Sequence, residues 1–199
     1  MCGVTMRIVR VFCLMAMAAL SAACAQEVNA SRAEIASVRY VADEAPYIAL
    51  LTMVNDKSQR GAHSALLINA SERVIYDPAG TFAHSTLAEK GDIQYGVTDQ
   101  ALQFYKRYHA RDSHFVHTQK LNVSAELAEA VLRRAQLQGP SPKMFCTINT
   151  AQILQDIPQF SFIKPGFYPE GLRKQFATIP GIENSYLRES DHGKLVPTN

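Results

Sequence analysis

YIALLTMVNDKSQRGAHSALLINASERVIYDP, residues 47–78, sets the fold class. Its first eight residues are apolar or β-branched at both parities, the pattern of a strand buried on both faces. NDKSQRG (55–61) is a turn-rich loop. AHSALLI (62–68) reads as a second strand, NASE (69–72) as a turn, and RVIYD (73–77) as a third strand. Pro78 ends it by withholding a ladder donor. Three strands joined by short turns predict an antiparallel meander.

Downstream, residues 79–96 read as loop, broken by Gly80, Gly91 and Gly96. Residues 98–111 predict a helix with Leu102 and Tyr105 inward and Lys106, Arg107, His109 and Arg111 largely outward. HFVHTQKL (114–121) predicts a fourth strand. Residues 124–138 form the clearest helical pattern: Ser124 as N-cap, Glu126 in the first turn, Leu127, Val131 and Ala135 at spacing four, and Gly139-Pro140 as the stop. A Pro-containing loop leads to Cys146, which opens a further helix to about Gln155. Pro158, Pro165, Pro169 and Pro180 punctuate an irregular tail holding a short helix over 169–176. Upstream, residues 26–45 read as a polar tether that ends in a strand near 38–41. The order β-β-β-α-β-α-α predicts one α+β domain over residues 46–199, an antiparallel sheet packed against helices.

The N-terminus has the layout of a secretory signal peptide over residues 1–25: Arg7 and Arg10 without an acid, a short apolar run, then small residues. The apolar run is too short to span a bilayer. Two cleavage readings stand. Ala23-Cys24-Ala25 fits a signal-peptidase site, and LSAAC resembles a bacterial lipobox, in which the signal ends at residue 23 and Cys24 is the lipidated first residue. Either reading predicts an exported protein, periplasmic or membrane-anchored, with any membrane attachment made through a lipid at Cys24. Loss of residues 1–23 leaves 18 bases against 18 acids. No basic excess remains to bind nucleic acid.

The four cysteines are Cys2, Cys13, Cys24 and Cys146, so Cys146 is the single thiol of the expected folded body. In a compartment that favours disulfides such a thiol is either buried and inert or kept for its reactivity. A helix N-terminus stabilises a thiolate through unpaired N–H groups and the helix dipole. A thiol nucleophile also needs a base, most often His. Of six histidines, His63 alone begins a central strand after a Gly-containing loop, a rigid position open to a cleft. His84, His109 and His192 read as surface. His114 and His117 form H-x-x-H, but residues three apart on a strand face opposite ways, so no metal site is expected, nor any cofactor. A catalytic imidazole needs an orienting partner. Asp77 is the candidate if the hairpin keeps it on the His63 face. A loop over residues 69–71, or one of five residues, does so, whereas a four-residue loop turns it away. Asp77 also reads as the strand-end Asp of a DPAG turn. The Cys146 N–H is the natural first oxyanion donor.

A strand-borne AHSALLI, a polar residue in the next strand at Asp77 and a later Cys opening a helix together resemble the circularly permuted branch of the NlpC-type papain-like superfamily, which includes lecithin:retinol acyltransferase-like proteins. The resemblance covers residues 47–176. It implies a permuted papain-like fold, with Cys146 as nucleophile, His63 as base and Asp77 as the third polar group. Members often carry a small or polar residue before the Cys, where this chain has Phe145. The implied activity is cysteine-dependent hydrolysis or acyl transfer at amide, ester or thioester bonds, on peptidoglycan peptides or lipid-linked acyl groups of the cell envelope. The alternative is a non-catalytic envelope lipoprotein of the same fold that binds peptide, glycan or lipid.

Overall fold

The structure, a computed structural model, describes residues 29–188 apart from residue 112. The expected signal segment, Cys24 and His192 lie outside the described residues. The three expected strands of the meander are present as β1 (Tyr47–Asn55), β2 (Gly61–Asn69) and β3 (Arg73–Tyr76), paired antiparallel in sequence order. β4 (Ala88–Lys90), β5 (Ile93–Tyr95), β6 (His114–Asn122) and β7 (Glu183–Leu187) extend them to one seven-stranded antiparallel sheet. The strand order is β4-β5-β3-β2-β1-β6-β7. The helices are α1 (Arg32–Val38), α2 (Asp99–His109), α3 (Ala125–Gln138), α4 (Cys146–Gln155) and α5 (Pro169–Phe176). The class is α+β.

Alternation along the central strands divides the interior into two layers. Ile48, Leu50, Leu66, Ile68, Val74 and Tyr76 join Val131, Leu132, Ala151, Ile153, Leu172 and Phe176 from α3, α4 and α5. Ala49, Leu51, Met53, Ala65, Leu67 and Ile75 face the other way, against Leu102 and Tyr105 of α2. Each fully buried Leu or Ile contributes about 1.5–3 kcal/mol through lost apolar exposure. β1 and β2, covered on both sides, are therefore the rigid centre from which the neighbouring loops are hung.

Three expectations are corrected. Over their described part residues 26–45 are not a plain tether: residues 32–38 form a helix, and the strand expected near 38–41 is absent, residues 39–42 having no regular structure. Ser31 and Glu34 close a capping box, Glu34 N donating to Ser31 Oγ at 3.2 Å and Ser31 N to Glu34 Oε2 at 2.6 Å. Ile35 and Val38 then pack on the core, and Ala30 N donates to Glu89 O. The expected loop over 79–96 contains the β4–β5 hairpin, which extends the sheet beyond β3. The irregular tail holds β7, paired with β6.

Candidate active site

The β2–β3 hairpin fixes the geometry. Asn69 pairs with Arg73 and Leu66 with Tyr76, with residues 70–72 as the connection. This register is displaced from the loop over 69–71 that would pair His63 with Asp77 directly. The displacement preserves parity, so continuing the register places Asp77 diagonally from His63 on the same face. His63 Nε2 and Asp77 Oδ1 stand 2.6 Å apart. The Asp77 side chain is 2 % exposed and that of His63 20 %.

The turn after Asp77 is built around its carboxylate. Gly80 N donates to Asp77 O at 3.0 Å. A Cβ on Gly80 would lie 2.1 Å from Asp77 Oδ2, so only glycine leaves the carboxylate its place. The buried Tyr105 hydroxyl faces the same carboxylate without reaching hydrogen-bond geometry. Burial and the Asp77 charge both push its pKa up.

Cys146 is the first residue of α4, and Phe145 before it supplies no side-chain cap. β3 pairs only with residues 66–69 of β2, which leaves residues 61–65 open on that flank. Thr147 Oγ1 lies 3.7 Å from the Cys146 sulfur, and the backbone of Ser64 helps to hold the thiol's pKa down. The His63 ring is close enough to the sulfur that each shifts the other's pKa. Nε2 is held by Asp77, which leaves Nδ1 as the nitrogen available to the thiol. Burial alone would push the thiol up, but the hydrogen bond and charge of His63 outweigh it and hold Cys146 below its ordinary value. Burial disfavours the His63 cation, yet the bonds to Asp77 and Cys146 raise it to about 10. The two opposite shifts both favour a thiolate–imidazolium pair flanked by a carboxylate.

Asp92, which the sequence reading passed over, ties the two halves of the site together. Its Oδ2 accepts from Ala79 N at 3.0 Å and from Ser141 N at 2.7 Å, while its carbonyl accepts from Asp77 N at 2.8 Å. One residue thus holds both the Asp77 turn and the loop that delivers Cys146. Its φ of 62° is the left-handed conformation, which Asp tolerates better than most residues. The only local signal was its place after Gly91 in a turn.

His109 is corrected from a surface residue. It follows Leu102 by seven positions and Tyr105 by four, which puts it on the inward face of α2. Its ring lies 6.1 Å from that of His63 at 17°. Nδ1 donates to Tyr105 O at 2.9 Å. Burial, with the charge of His63 adding to it, lowers its pKa, so it packs there as a neutral ring.

The H-x-x-H pair is split as strand alternation requires. His117 Nε2 reaches Asn184 Oδ1 at 2.8 Å, and His114 Nδ1 reaches Ser113 Oγ at 2.8 Å. Among the described residues no group of three or more His, Cys, Asp or Glu side chains is placed to hold a metal ion. Comparison with protein-family models, with curated proteins and with solved structures finds no match to this chain.

Proposed function

We propose that this chain is a cysteine-dependent hydrolase or acyltransferase with a circularly permuted papain-like arrangement, acting on amide, ester or thioester bonds in the cell envelope. One observation carries the reading: His63 is held at 2.6 Å by the buried Asp77 carboxylate, and it and Cys146 shift each other's pKa, the imidazole up and the thiol down. An inert buried thiol has no need of such a partner, and burial alone would raise its pKa. Export is proposed from the N-terminal segment, and no helix of the described residues is long and apolar enough to cross a membrane.

The chemistry follows from the pair. The Cys146 thiolate attacks the acyl carbonyl carbon, forming the S–C bond as the C=O π electrons move to oxygen. The oxyanion is met by the Cys146 N–H, where α4 presents its uncapped N-terminal amides. His63 Nδ1–H gives its proton to the leaving nitrogen, oxygen or sulfur, and the bond to that group breaks. In the second half, neutral His63 takes a proton from water or another acceptor as it attacks the thioester. Collapse then releases the acyl product and restores the ion pair. Asp77 keeps the ring oriented with Nε2–H toward it and stabilises the cation.

A second reading rests on the burial of Cys146: a non-catalytic binder in which the thiol is a small core residue. Trapping separates the two. The protein is incubated with p-nitrophenyl acetate and the Cys146 peptide is weighed by mass spectrometry. The catalytic reading predicts an acetyl thioester on Cys146 that fails to form in His63→Ala. Absence from the native protein of both the adduct and steady p-nitrophenol release, with denatured protein acylated normally, establishes the binder.

A further inference from the structure

A loop that ends at Cys146 and a second loop that touches the first both expose apolar side chains. Residues 142–145 (PKMF) run into α4, and residues 161–168 (SFIKPGFY) run into α5. Phe145 and Phe167 meet edge to face, ring centroids 5.5 Å apart, so the loops form one continuous lip. Met144 is 81 % exposed, Tyr168 80 %, Phe167 58 % and Phe145 37 %. Four large apolar residues side by side in the open are not explained by core packing. The only charged residues in the two loops are Lys143 and Lys164. The next acid along the chain, Glu170, is held by Arg173 at 2.7 Å.

We infer that this lip docks on an anionic lipid bilayer and so presents Cys146 to substrate held at the membrane surface. The Phe rings and the Met side chain enter the apolar boundary below the headgroups, and the Tyr168 hydroxyl stays at headgroup depth. Two lysines with no salt bridge to a carboxylate among the described residues meet negative headgroups and gain from each. Phe145 directly precedes Cys146, so docking puts the membrane one residue from the nucleophile. The role in delivering substrate rests on the proposed activity, but the docking itself does not.

The chain contains no Trp, so Phe167→Trp installs a single reporter in the lip. The expected result is a blue shift of indole emission with phosphatidylglycerol vesicles and little change with phosphatidylcholine alone. Nitroxide-labelled acyl chains should quench that emission. Adding Lys143→Ala and Lys164→Ala should weaken apparent lipid affinity about 30-fold, from about 1 kcal/mol per basic residue and 1.4 kcal/mol per tenfold. Both lysines are exposed, so the fold should not change. Cys146→Ser should dock like the native thiol, which keeps this test separate from that of catalysis. The inference is overturned if the anionic vesicles give no shift, or if removing the lysines leaves the affinity unchanged.

Discussion

Gly80→Ala tests whether the Asp77 carboxylate governs the thiol. The substitution adds one methyl group outside the reacting atoms. That methyl carbon would sit 2.1 Å from Asp77 Oδ2, 2.4 Å from Cγ and 2.7 Å from Oδ1. Ordinary contact needs about 3.5 Å, so the carboxylate must retreat by roughly 1.4 Å. Being buried, it has no solvent to retreat into and must swing relative to His63. A bond now at 2.6 Å stretches past hydrogen-bond range. Losing a hydrogen bond between charged groups costs about 1.5–3 kcal/mol. The Asp77 charge stays nearby, so the lower half of that range applies, which corresponds to about one unit in the thiol pKa. The assay is the rate of iodoacetamide alkylation of Cys146 against pH, with circular dichroism to check the fold. The midpoint should move up by about one unit, in the same direction as Asp77→Asn. A folded Gly80→Ala protein with an unmoved midpoint would refute the claim that Asp77 sets the ion pair.

Asp92→Ala removes the acceptor for Ala79 N and Ser141 N, and should lower stability by about 2 kcal/mol in urea denaturation while slowing alkylation of Cys146. Asp92→Asn keeps an acceptor oxygen and should recover much of both. The raised His63 pKa carries a pH signature. A folded pKa near 10 against an unfolded value near 6.5 means that its stabilisation is fully present below about pH 6.5 and is lost as pH rises toward 10. The stability advantage of the native protein over His63→Ala, read from denaturant midpoints, should therefore shrink as pH rises from about 8.5 toward 10, where Cys146 is ionised in the unfolded chain as well. A gap that widens would contradict the assignment.

The elements that were legible in the sequence share one property, burial with a clear period. β1, β2 and β3 announced themselves by apolar runs between turn residues, and α3 by its cap, spacing and Gly-Pro stop. α1 buries none of its residues fully, so no hydrophobic period marked it, although Ser31 and Glu34 spell its capping box. β4 and β5 have three residues each, too few for an alternation to register. β7 lies at the sheet edge with nearly every side chain exposed. At the site, Cys146 and His63 were visible because their chemistry restricts the choice of residue. The face of Asp77 depended on hairpin register, which its local sequence leaves open. Asp92 acts through bonds to residues 13 and 49 positions away, and no local pattern encodes those. His109 was misplaced because its Lys and Arg neighbours suggested solvent, while its spacing from Leu102 and Tyr105 pointed inward.

The central claim is that His63 holds Cys146 as a thiolate. Its most direct measurement is a pH titration of the ultraviolet thiolate absorbance, with the Cys146→Ser spectrum subtracted, in native protein and in His63→Ala. The account predicts a Cys146 midpoint below the ordinary value of about 8.5 and an upward move when His63 is removed. A midpoint at or above that value, the same with and without His63, would contradict it.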